Sequence, residues 1–428
     1  MVQKKLLLQN LQDGLYDEKL AKIYCIEKQD VKYYSERFLN VIKGLERTFG
    51  SVEDVSLFSA PGRTELGGNH TDHQHGCVLA GSINLDVIAA VKLNDENIVR
   101  VQSEGYPIDI IDLDSLEVDE KEYNQAKSLI KGVIAKFKTL GYEIKGFDAY
   151  TSSNVLKGSG LSSSAAFEVL IGNIINGLFA NGEVSAVDIA KIGQYAENVY
   201  FGKPCGLMDQ MACSVGAAVS IDFSDTENPV IRKVDFDFSN TGYALCIIDS
   251  GADHADLTDE YAAIPKEMKA VANYFGEEYL RNVNKSDFYS SIKSLREKVG
   301  DRAVLRAIHF FEDNDRAVKE AQALKDGHFD EFLSLVKESG YSSYMYLQNV
   351  CVSGSVQNQA VGLVLALCQE FLQGKGAYRV HGGGFAGTVQ AFVPVDMLDD
   401  FKREIEAILG DGYCHVLSIR PIGGFQFV

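Results

Sequence analysis

The side chains most able to do chemistry are concentrated in residues 60–86, which read APGRTELGGNHTDHQHGCVLAGSINLD. This segment places a cation, carboxylates, an amide and three histidines within a few residues, and polar loops of this kind often bind ligands. Asn69, His70 and Asp72 could exchange hydrogen bonds with the hydroxyls of a sugar. The three histidines and Asp72 could instead ligate a metal ion. The third interpretation is a solvated turn, and composition alone leaves all three open.

Residues 152–170, SSNVLKGSGLSSSAAFEVL, run from a predicted strand through a Gly/Ser loop into a predicted helix. Gly158 and Gly160 would let the backbone approach an anion closely, and the N–H groups at the start of a helix favour phosphate. The serines at 162–164 could bond phosphate oxygens or ligate Mg²⁺, and Lys157 could add positive charge. An ordinary connector is the alternative. The pattern lacks the Lys-Ser or Lys-Thr of a Walker loop and the third glycine of a dinucleotide fingerprint.

Two carboxylates, Glu197 and Asp209, lie in mostly apolar sequence. Glu197 shares a predicted helix face with apolar or small residues, because positions four apart lie on one face. Asp209 lies between Met208 and Gln210 in a second apolar run. A carboxylate in such surroundings needs a cation, a metal or a hydrogen-bond donor. The alternative for both is an ordinary carboxylate at a helix end.

A third glycine-rich segment, HGGGFAGTVQAFV, begins at His381. Three successive glycines before a strand indicate either a tight turn with close backbone packing or a loop that lies near phosphate. The residues themselves do not decide between these interpretations.

The overall composition is that of an acidic globular protein. The 428 residues include 60 acidic and 41 basic side chains, which gives a formal charge of −19, and such a chain repels nucleic-acid phosphate. None of the eight cysteines forms a Cys-x-x-Cys pair, so we interpret them as reduced core residues of a cytoplasmic protein. The negative charge argues against a nucleic-acid partner. Since no apolar window reaches the length of a membrane span, we expect no membrane partner either.

Between these segments the sequence predicts a mixture of helices and strands. Helices are predicted over residues 1–50, after the Gly/Ser loop, and over about 186–201, 265–340, 356–372 and 396–409. Strands are predicted from Val55 to Pro61-Gly62, over 87–93, 98–103 and 147–153, at AAVSIDF, YALCIID and HVLSIRPI, and after the three successive glycines that follow His381. The Asn94-Asp95 dipeptide predicts a hairpin between the strands at 87–93 and 98–103. This mixed order favours an α+β fold over a regular βαβ array.

Taken together, the motifs resemble those of the GHMP kinase superfamily and, within it, of galactokinases. GRTELGGNHTDHQHG is similar to the galactokinase signature, Gly-Arg-x-Asn-(hydrophobic)-x-Gly-Glu-His-Thr-Asp, and GSGLSSSAAFEV to the phosphate-binding second motif. AENVYFGKPCGLMDQ resembles the segment with the metal-binding glutamate and the catalytic aspartate. DLTDEYAAIPKEM resembles the stretch with a sugar-contacting tyrosine, and HGGGFAGTVQAFV the third glycine motif. The five matches occur in the family order.

The resemblance implies a two-domain GHMP kinase fold of the α+β class. An N-terminal domain like ribosomal protein S5 domain 2 would span residues 1–225, and a ferredoxin-like C-terminal domain would span 226–428, with the active site between them. The implied reaction is ATP-dependent phosphorylation of the anomeric hydroxyl of a hexose, with galactose as the expected substrate. The alternatives are another sugar-1-kinase, acting on N-acetylgalactosamine, arabinose or a uronic acid, and a non-catalytic sugar-sensing regulator. A monomer that uses Mg²⁺ with ATP as co-substrate is expected.

The same resemblance assigns roles to individual residues. Arg63 would stabilise the transferring phosphoryl group, and Asp209 would orient or deprotonate the sugar hydroxyl, with its pKa depressed if Arg63 lies beside it. The ATP phosphates would be held by Gly158, Ser159, Gly160, Leu161, Ser162, Ser163 and Ser164. Mg²⁺ would be ligated by Ser164 and Glu197. The sugar pocket would be lined by Asn69, His70, Thr71, Asp72 and Tyr261.

This chain departs from the family pattern at three places. Asn69 stands where galactokinases have glutamate, and Glu65 stands where they usually have asparagine. Ala386 and Thr388 replace the usual glycine and cysteine of the third motif. Asn69 lacks a carboxylate that would accept a sugar hydroxyl proton, although an amide oxygen still accepts hydrogen bonds. The identity of the hexose is therefore the expectation that these departures affect most.

Overall fold

The structure, a computed structural model, describes residues 1–156, 160–252 and 257–428. Lys157, Gly158 and Ser159, which the sequence places in the phosphate loop, lie outside the described residues. Within the described ranges, no helix combines the length and the apolar character needed to cross a bilayer.

The described residues form thirteen strands and fourteen α-helices. The strands are β1 (Val2–Gln3), β2 (Asp54–Gly67), β3 (Cys77–Leu93), β4 (Ile98–Ser103), β5 (Ile108–Asp112), β6 (Phe147–Ser153), β7 (Ala218–Asp222), β8 (Val230–Val234), β9 (Tyr243–Asp249), β10 (Ala377–His381), β11 (Thr388–Pro394), β12 (Cys414–Leu417) and β13 (Phe425–Gln426). The helices are α1 (Lys4–Gln12), α2 (Asp17–Tyr24), α3 (Val31–Phe49), α4 (Ala126–Thr139), α5 (Ser163–Phe179), α6 (Ala186–Tyr195), α7 (Met208–Val215), α8 (Thr258–Tyr274), α9 (Lys285–Ser290), α10 (Ile292–Val299), α11 (Asp301–Lys325), α12 (Phe329–Ser342), α13 (Ala360–Leu372) and α14 (Leu398–Leu409).

The larger sheet is built on the two long strands β2 and β3. Its main path runs β1-β2-β3-β6-β4-β5, while β7 joins β3 to β8 and β13 pairs with β2. Every pairing is antiparallel except that of β4 with β6. The first loop segment of the sequence lies at the end of β2 and between β2 and β3, so this sheet fixes the position of Arg63 and of the residues that follow it.

Both faces of this sheet are covered, because successive side chains of a strand point to opposite faces. Leu57 and Ala90, which are paired in register, pack with α1, α2 and α3. Their neighbours Phe58 and Ala89 pack with α4 and α5 on the other face. Residues 1–50 are thus confirmed as largely helical, and they cover one face of the sheet.

The smaller sheet has the order β10-β11-β9-β12, with every pair antiparallel. Along the chain the helices α8–α12 are inserted after β9, and the remaining order is β9, α13, β10, β11, α14 and β12. This remaining order is the βαββαβ order of a ferredoxin-like fold. Cys246, Val364 and Ile405 are among the residues of the core that joins α13 and α14 to one face of the sheet. The predicted ferredoxin-like architecture is therefore confirmed.

A helical layer from α8 to α12 connects the two sheets. The long helix α11 contacts β3 of the larger sheet and packs against α8 and α12, and α12 contacts β10 of the smaller sheet. Apolar residues of α8, α9 and α11, including Met268, Phe288 and Phe310, form a separate core with Phe385. This layer brings the third glycine motif beside the first loop segment.

The predicted hairpin at Asn94-Asp95 is wrong. β3 and β4 are not neighbours, because β6 lies between them, antiparallel to β3 and parallel to β4. The prediction that the first strand stops at Pro61-Gly62 is also wrong. β2 continues to Gly67 through a shift of register between Pro61 and Arg63, which is how strands accommodate a residue that cannot donate to the ladder.

The boundary near residue 225 stays a prediction. In the structure, β8 and β13 both belong to the larger sheet although they follow residue 225. Membership of the larger sheet therefore does not end at that position.

Candidate functional site

The centre of the candidate site is an ion pair between Arg63 of β2 and Asp209 in the first turn of α7. The Nε and Nη2 atoms of Arg63 each lie 2.8 Å from Oδ1 of Asp209. Arg63 is 7% exposed, whereas about a third of the Asp209 side chain stays accessible, at 34%. The Asp209 carboxylate is therefore accessible to a ligand, whereas the Arg63 guanidinium is buried beside it.

The charges of this pair reinforce each other. Burial alone would raise the pKa of the Asp209 carboxyl, but the charge of Arg63 and hydrogen bonds from Arg63 and Ser162 outweigh it, so the pKa lies below its ordinary value. Burial opposes the positive charge of Arg63, but Asp209 raises the pKa of the guanidinium. Both groups are therefore ionised at neutral pH, as the sequence predicts for an aspartate beside an arginine.

The described part of the phosphate loop meets this pair directly. Arg63 donates from Nη1 to the carbonyl of Gly160, and its backbone N–H donates to the carbonyl of Leu161 at 3.1 Å. The Ser162 hydroxyl donates to Oδ2 of Asp209. Gly62 permits this approach, because a Cβ at that position would lie 2.7 Å from the Leu161 carbonyl oxygen.

The predicted phosphate contacts divide between backbone and side chains. The Leu161 side chain is buried in the core, so only its backbone is available to a phosphate. The Ser162 hydroxyl is already bonded to Asp209. Ser163 and Ser164 form the first turn of α5 and are partly exposed. The N–H groups at that helix start are suited to phosphate.

Two buried glutamates lie behind the loop and share one amide. Nε2 of Gln210 donates to Oε2 of Glu197 at 2.8 Å and to Oε2 of Glu168 at 2.9 Å. Lys203 places its Nζ 3.8 Å from the other oxygen of Glu197, while Oε1 of Glu168 is buried without a hydrogen-bond partner. Burial and the nearby Glu197 charge raise the pKa of Glu168 well above its ordinary value. Glu168 follows Ser164 by four residues on α5, so both side chains lie on the same face.

The residues predicted to line a sugar pocket fall into two groups. Asp72 is partly exposed, and a cavity of about 360 Å³ opens beside it, lined also by His73, Gln194 and Lys269. This volume lies within the range of roughly 300–1,000 Å³ that is usual for small-molecule sites. Burial raises the pKa of Asp72, and Asp209 and Arg63 shift it in opposite directions, so Asp72 lies in the electrostatic field of the central pair.

The remaining members of this set are engaged with the protein itself. Thr71 is fully buried, and its hydroxyl lies within hydrogen-bond distance of the carbonyls of Gly68 and Cys77. Asn69 is also fully buried. Tyr261 donates from its hydroxyl to the carbonyl of Gly384 at 2.8 Å. The assignment of Asn69 and Thr71 to the sugar pocket stays a prediction, and in this structure both side chains are buried and bonded to the protein itself.

The alternative of a histidine metal site is not supported by the geometry. Among the described residues, which include all of 60–86, no group of three or more His, Cys, Asp or Glu side chains is arranged to hold a metal ion. His75 stacks on Tyr279 with ring centroids 3.6 Å apart. His70 and His73 face each other, with Nδ1 of His70 3.3 Å from Nε2 of His73.

Sequence reasoning missed four polar residues that support the site. Gln210 and Glu168 bracket Glu197, and Arg379 binds Glu65. His381 receives the backbone N–H of Glu65 at its Nε2 and contacts Thr388 through Nδ1 at 2.9 Å. The spacing of four between Ser164 and Glu168 was the one available signal. The contacts of Glu65 with Arg379 and His381 join residues 314 and 316 positions apart.

Comparisons with known proteins point to one family. The model of the GHMP kinases N terminal domain matches residues 128–217, and the model of the galactokinase galactose-binding signature matches residues 44–93. A galactokinase from Glaesserella parasuis serovar 5 (strain SH0165) is 31% identical over 373 residues, which cover 84% of this chain and 90% of that protein. The chain belongs to the galactokinase family.

Solved structures with this galactokinase-family fold include distant relatives. The Lactococcus lactis galactokinase complexed with galactose is 24% identical, covers 90% of this chain and 99% of its own, and superposes with a TM-score of 0.76. The Methanococcus jannaschii mevalonate kinase is 15% identical, covers 85% of this chain and 98% of its own, and gives a TM-score of 0.60. At these identities the matches show that the fold is shared, and the predicted GHMP kinase fold is confirmed.

Proposed function

We propose that this protein transfers the γ-phosphate of ATP to the anomeric hydroxyl of galactose. The observation that carries the proposal is the Arg63–Asp209 ion pair, held against the carbonyls of Gly160 and Leu161 in front of helix α5. This places a cation, an ionised carboxylate and the start of a helix around one position. Membership of the galactokinase family supports the choice of reaction, and the match of residues 44–93 to the galactose-binding signature supports the choice of sugar.

Phosphoryl transfer proceeds through a loose transition state whose charge is spread over the equatorial oxygens. Arg63 would stabilise that charge, because its guanidinium is fixed by Asp209 and Gly160 before the substrate arrives. The sugar oxygen forms the new bond to phosphorus while the bond between phosphorus and the ADP oxygen breaks. The hydroxyl proton passes to Asp209, which is ionised and a weak base, so the transfer is late.

Magnesium is expected with ATP, and the residues present fit it. Mg²⁺ prefers oxygen ligands from one or two side chains together with phosphate. Ser164 and Glu197 offer a hydroxyl and a carboxylate, and the unpartnered buried oxygen of Glu168 marks the region as short of positive charge. Bound there, Mg²⁺ would neutralise the phosphate charge. Gln210 would keep Glu197 oriented through its 2.8 Å hydrogen bond.

A panel of sugars tests the proposal most directly. The purified protein is incubated with ATP, Mg²⁺ and one sugar at a time, and ADP release is measured by a coupled assay. We expect the highest kcat/KM with galactose. Preference for N-acetylgalactosamine, arabinose or a uronic acid would overturn the choice of sugar and keep the reaction class.

The same panel separates the enzyme from a sugar-sensing regulator. Saturable binding of both ATP and sugar without ADP release would favour the regulator and end the proposal of activity. Known regulators on this fold lack residues of the second motif, and Ser164 and Ala165 are present here. The cytoplasmic location and the monomeric state stay predictions, which fractionation and light scattering would test.

A further inference from the structure

The third glycine motif is anchored by its carbonyls. Nδ2 of Asn69 donates to the carbonyl of Gly382 at 2.7 Å, and Nε2 of His70 donates to that of Gly383 at 3.0 Å. The Tyr261 hydroxyl donates to the carbonyl of Gly384 at 2.8 Å. Each of the three successive carbonyls thus receives a side chain that the sequence assigns to the sugar pocket. We call residues 382–384 the glycine loop.

The amide of Asn69 has no capacity left for a ligand. Besides Gly382, its Nδ2 donates to Oε1 of Glu65 at 3.0 Å. Its Oδ1 accepts from Asn349 at 2.9 Å and from Ser343 at 3.2 Å. Two donors and two acceptors are the full inventory of an asparagine side chain. The orientation of the amide is also fixed, because only a nitrogen can face both a carbonyl and a carboxylate.

The backbone of Asn69 is held equally firmly by helix α11. Its N–H donates to Oδ2 of Asp313 at 2.7 Å, and its carbonyl accepts from Nε2 of His309 at 2.9 Å. Asn69 therefore joins the end of β2, the helical layer and the glycine loop at one buried point.

The departures at 65 and 69 explain each other. A glutamate at 69 could not donate to the Gly382 carbonyl, and it would face the carboxylate of Glu65. With the carboxylate at 65 instead, Arg379 neutralises it and Asn69 donates to it. Glu65 and Asn69 therefore behave as one exchanged pair, in which the negative charge moves to Arg379 and position 69 gains a donor.

The glycine loop is coupled to the catalytic pair through the residue that precedes it. A Cβ at Gly160 would lie 3.3 Å from Nδ1 of His381, so the backbone of Gly160 lies close to the His381 imidazole. His381 also receives the N–H of Glu65 at 3.3 Å. Gly160 in turn accepts from Arg63. Movement of the glycine loop would therefore displace His381 and Gly160, and with them Arg63, which is proposed to contact the transferring phosphoryl group.

We propose that Asn69 is a positioning residue that clamps the glycine loop against the site, and that it does not contact the sugar. This proposal adds to the proposed function. Only its predicted effect on kinetics rests on that function, because the clamp itself can be tested without substrates. Loss of the donor at 69 would release Gly382 and, with it, the anchoring of His70 and Tyr261 to the neighbouring carbonyls.

Hydrogen–deuterium exchange of the protein without substrates tests the clamp independently of activity. Asn69→Asp keeps the shape of the side chain but removes both donors. Amides in the peptide covering residues 381–388 should then exchange about tenfold faster, the effect of losing roughly one buried hydrogen bond. Ser343→Ala is the matched control, because it removes a bond to Oδ1 and leaves the donor side intact. It should change exchange in that peptide by less than about twofold.

A double variant separates positioning from folding. Glu65→Gln with Asn69→Asp restores a single carboxylate and a hydrogen bond between positions 65 and 69, so part of the Tm lost in Asn69→Asp should return. Exchange at residues 381–388 should stay fast, because the Gly382 carbonyl still lacks its donor. Recovery of both quantities together would overturn the clamp in favour of a general effect on stability.

Kinetics supply the last discrimination. Asn69→Asp should raise the KM for the sugar by about tenfold while changing the KM for ATP by less than about twofold, since His70 and Tyr261 depend on the same loop. A raised sugar KM with unchanged exchange at 381–388 would identify Asn69 as a direct sugar ligand and reject the proposal. If no sugar is phosphorylated at all, the proposed function fails while the exchange data still decide the clamp.

Discussion

At the scale of single residues, the side chains around the Arg63–Asp209 ion pair differ in which of their polar groups stay accessible to a ligand. Asp209 and Asp72 keep accessible carboxylates, while Arg63, Asn69 and Thr71 are buried with partners from the protein itself. Few groups are therefore left accessible to a ligand, and the others are fixed by hydrogen bonds within the protein. Polar groups fixed in this way supply the preorganised electrostatics that phosphoryl transfer requires.

Asp209→Asn should lower kcat by at least about 10²-fold, the usual contribution of a positioned acid–base group. The amide keeps the shape but cannot accept the sugar proton, and it weakens the hold on Arg63. Steady-state kinetics of ADP release check this. Glu183→Gln, an exposed carboxylate of the surface, is the control and should retain wild-type turnover. Turnover close to wild type in Asp209→Asn would reject the assigned role.

Arg63→Ala should lower kcat more than it raises the KM for ATP, because its contact strengthens as charge develops in the transition state. The variant also leaves Asp209 without the cation that depresses its pKa. We therefore expect the acid limb of the residual pH–rate profile to shift to higher pH than in the wild type. An effect confined to the KM for ATP would contradict this assignment.

The family resemblance led us to expect Arg63 and Asp209 in one site, and charge attraction predicted a depressed pKa for that carboxyl if Arg63 lay beside it. The structure brings the two side chains together and lowers the pKa of Asp209. The sequence did not predict that Asn69 and Thr71 point into the protein. For Asn69, the partners Asn349, Ser343 and Gly382 lie hundreds of residues away, so the local pattern cannot indicate them. The partners of Thr71, Gly68 and Cys77, are local, but they are backbone carbonyls.

At the scale of elements, the same division holds between local and distant information. The strand at 147–153 and the helix α5 are where their periodicity predicts them. The hairpin at Asn94-Asp95 fails because β6 inserts between β3 and β4. A turn dipeptide reports only on the chain near it, whereas strand order is set by packing across the whole sheet.

Asp86 of β3 joins several elements through one buried carboxylate. It accepts from Tyr24 of α2 at 2.5 Å, from Arg37 of α3 at 2.6 Å and from Arg420 at 3.1 Å. Burial would raise the pKa of Asp86, but the two arginines and the hydroxyl donors lower it below its ordinary value. The ionised form of Asp86 therefore stabilises the fold, because its interactions with the arginines and hydroxyls outweigh the cost of burying it.

Asp86→Asn should lower the free energy of unfolding by about 3–5 kcal/mol, because two buried arginines lose their counter-charge. Denaturant unfolding measures this. Asp222→Asn, which breaks a partly exposed pair with Arg281, is the control and should cost at most about 1 kcal/mol. Equal losses in the two variants would contradict the argument.

The pH dependence of this contribution has a definite sign. Because the folded pKa of Asp86 is depressed, its stabilisation is complete above the ordinary value of 3.8 and is lost as pH falls toward the folded pKa. The wild type should therefore lose more unfolding free energy than Asp86→Asn when the pH falls below about 4.

At the scale of the whole molecule, residues from both ends of the sequence complete the larger sheet. Phe427 is 3% exposed and stacks on Phe38 of α3, with ring centroids 4.8 Å apart. Tyr16 contacts the same ring edge-on at 5.2 Å. The carbonyl of Val428 accepts from the N–H of Leu57 in β2. The core beneath residues 1–50 therefore includes the last residues of this sequence.

Phe427→Ala should cost about 3–5 kcal/mol of unfolding free energy, because it empties a buried aromatic site. Phe425→Ala, at a partly exposed position of β13, is the control and should cost clearly less. Chemical denaturation with the same probe for both proteins checks the difference. A Phe427 variant as stable as the control would show that this ring is not part of the core.

The position of β13 also dictates an order of events during synthesis. Residues 54–67, which form β2, are synthesised long before residues 425–428. The hydrogen bonds along one edge of β2 are complete only when residues 425–428 pair with it. Until then the nascent chain exposes an open strand flank and a half-covered aromatic cluster, both of which attract other unfolded polypeptides. Closure of the larger sheet must therefore wait until residues 425–428 have been synthesised. A product truncated before β13 should become a substrate for chaperones or proteases.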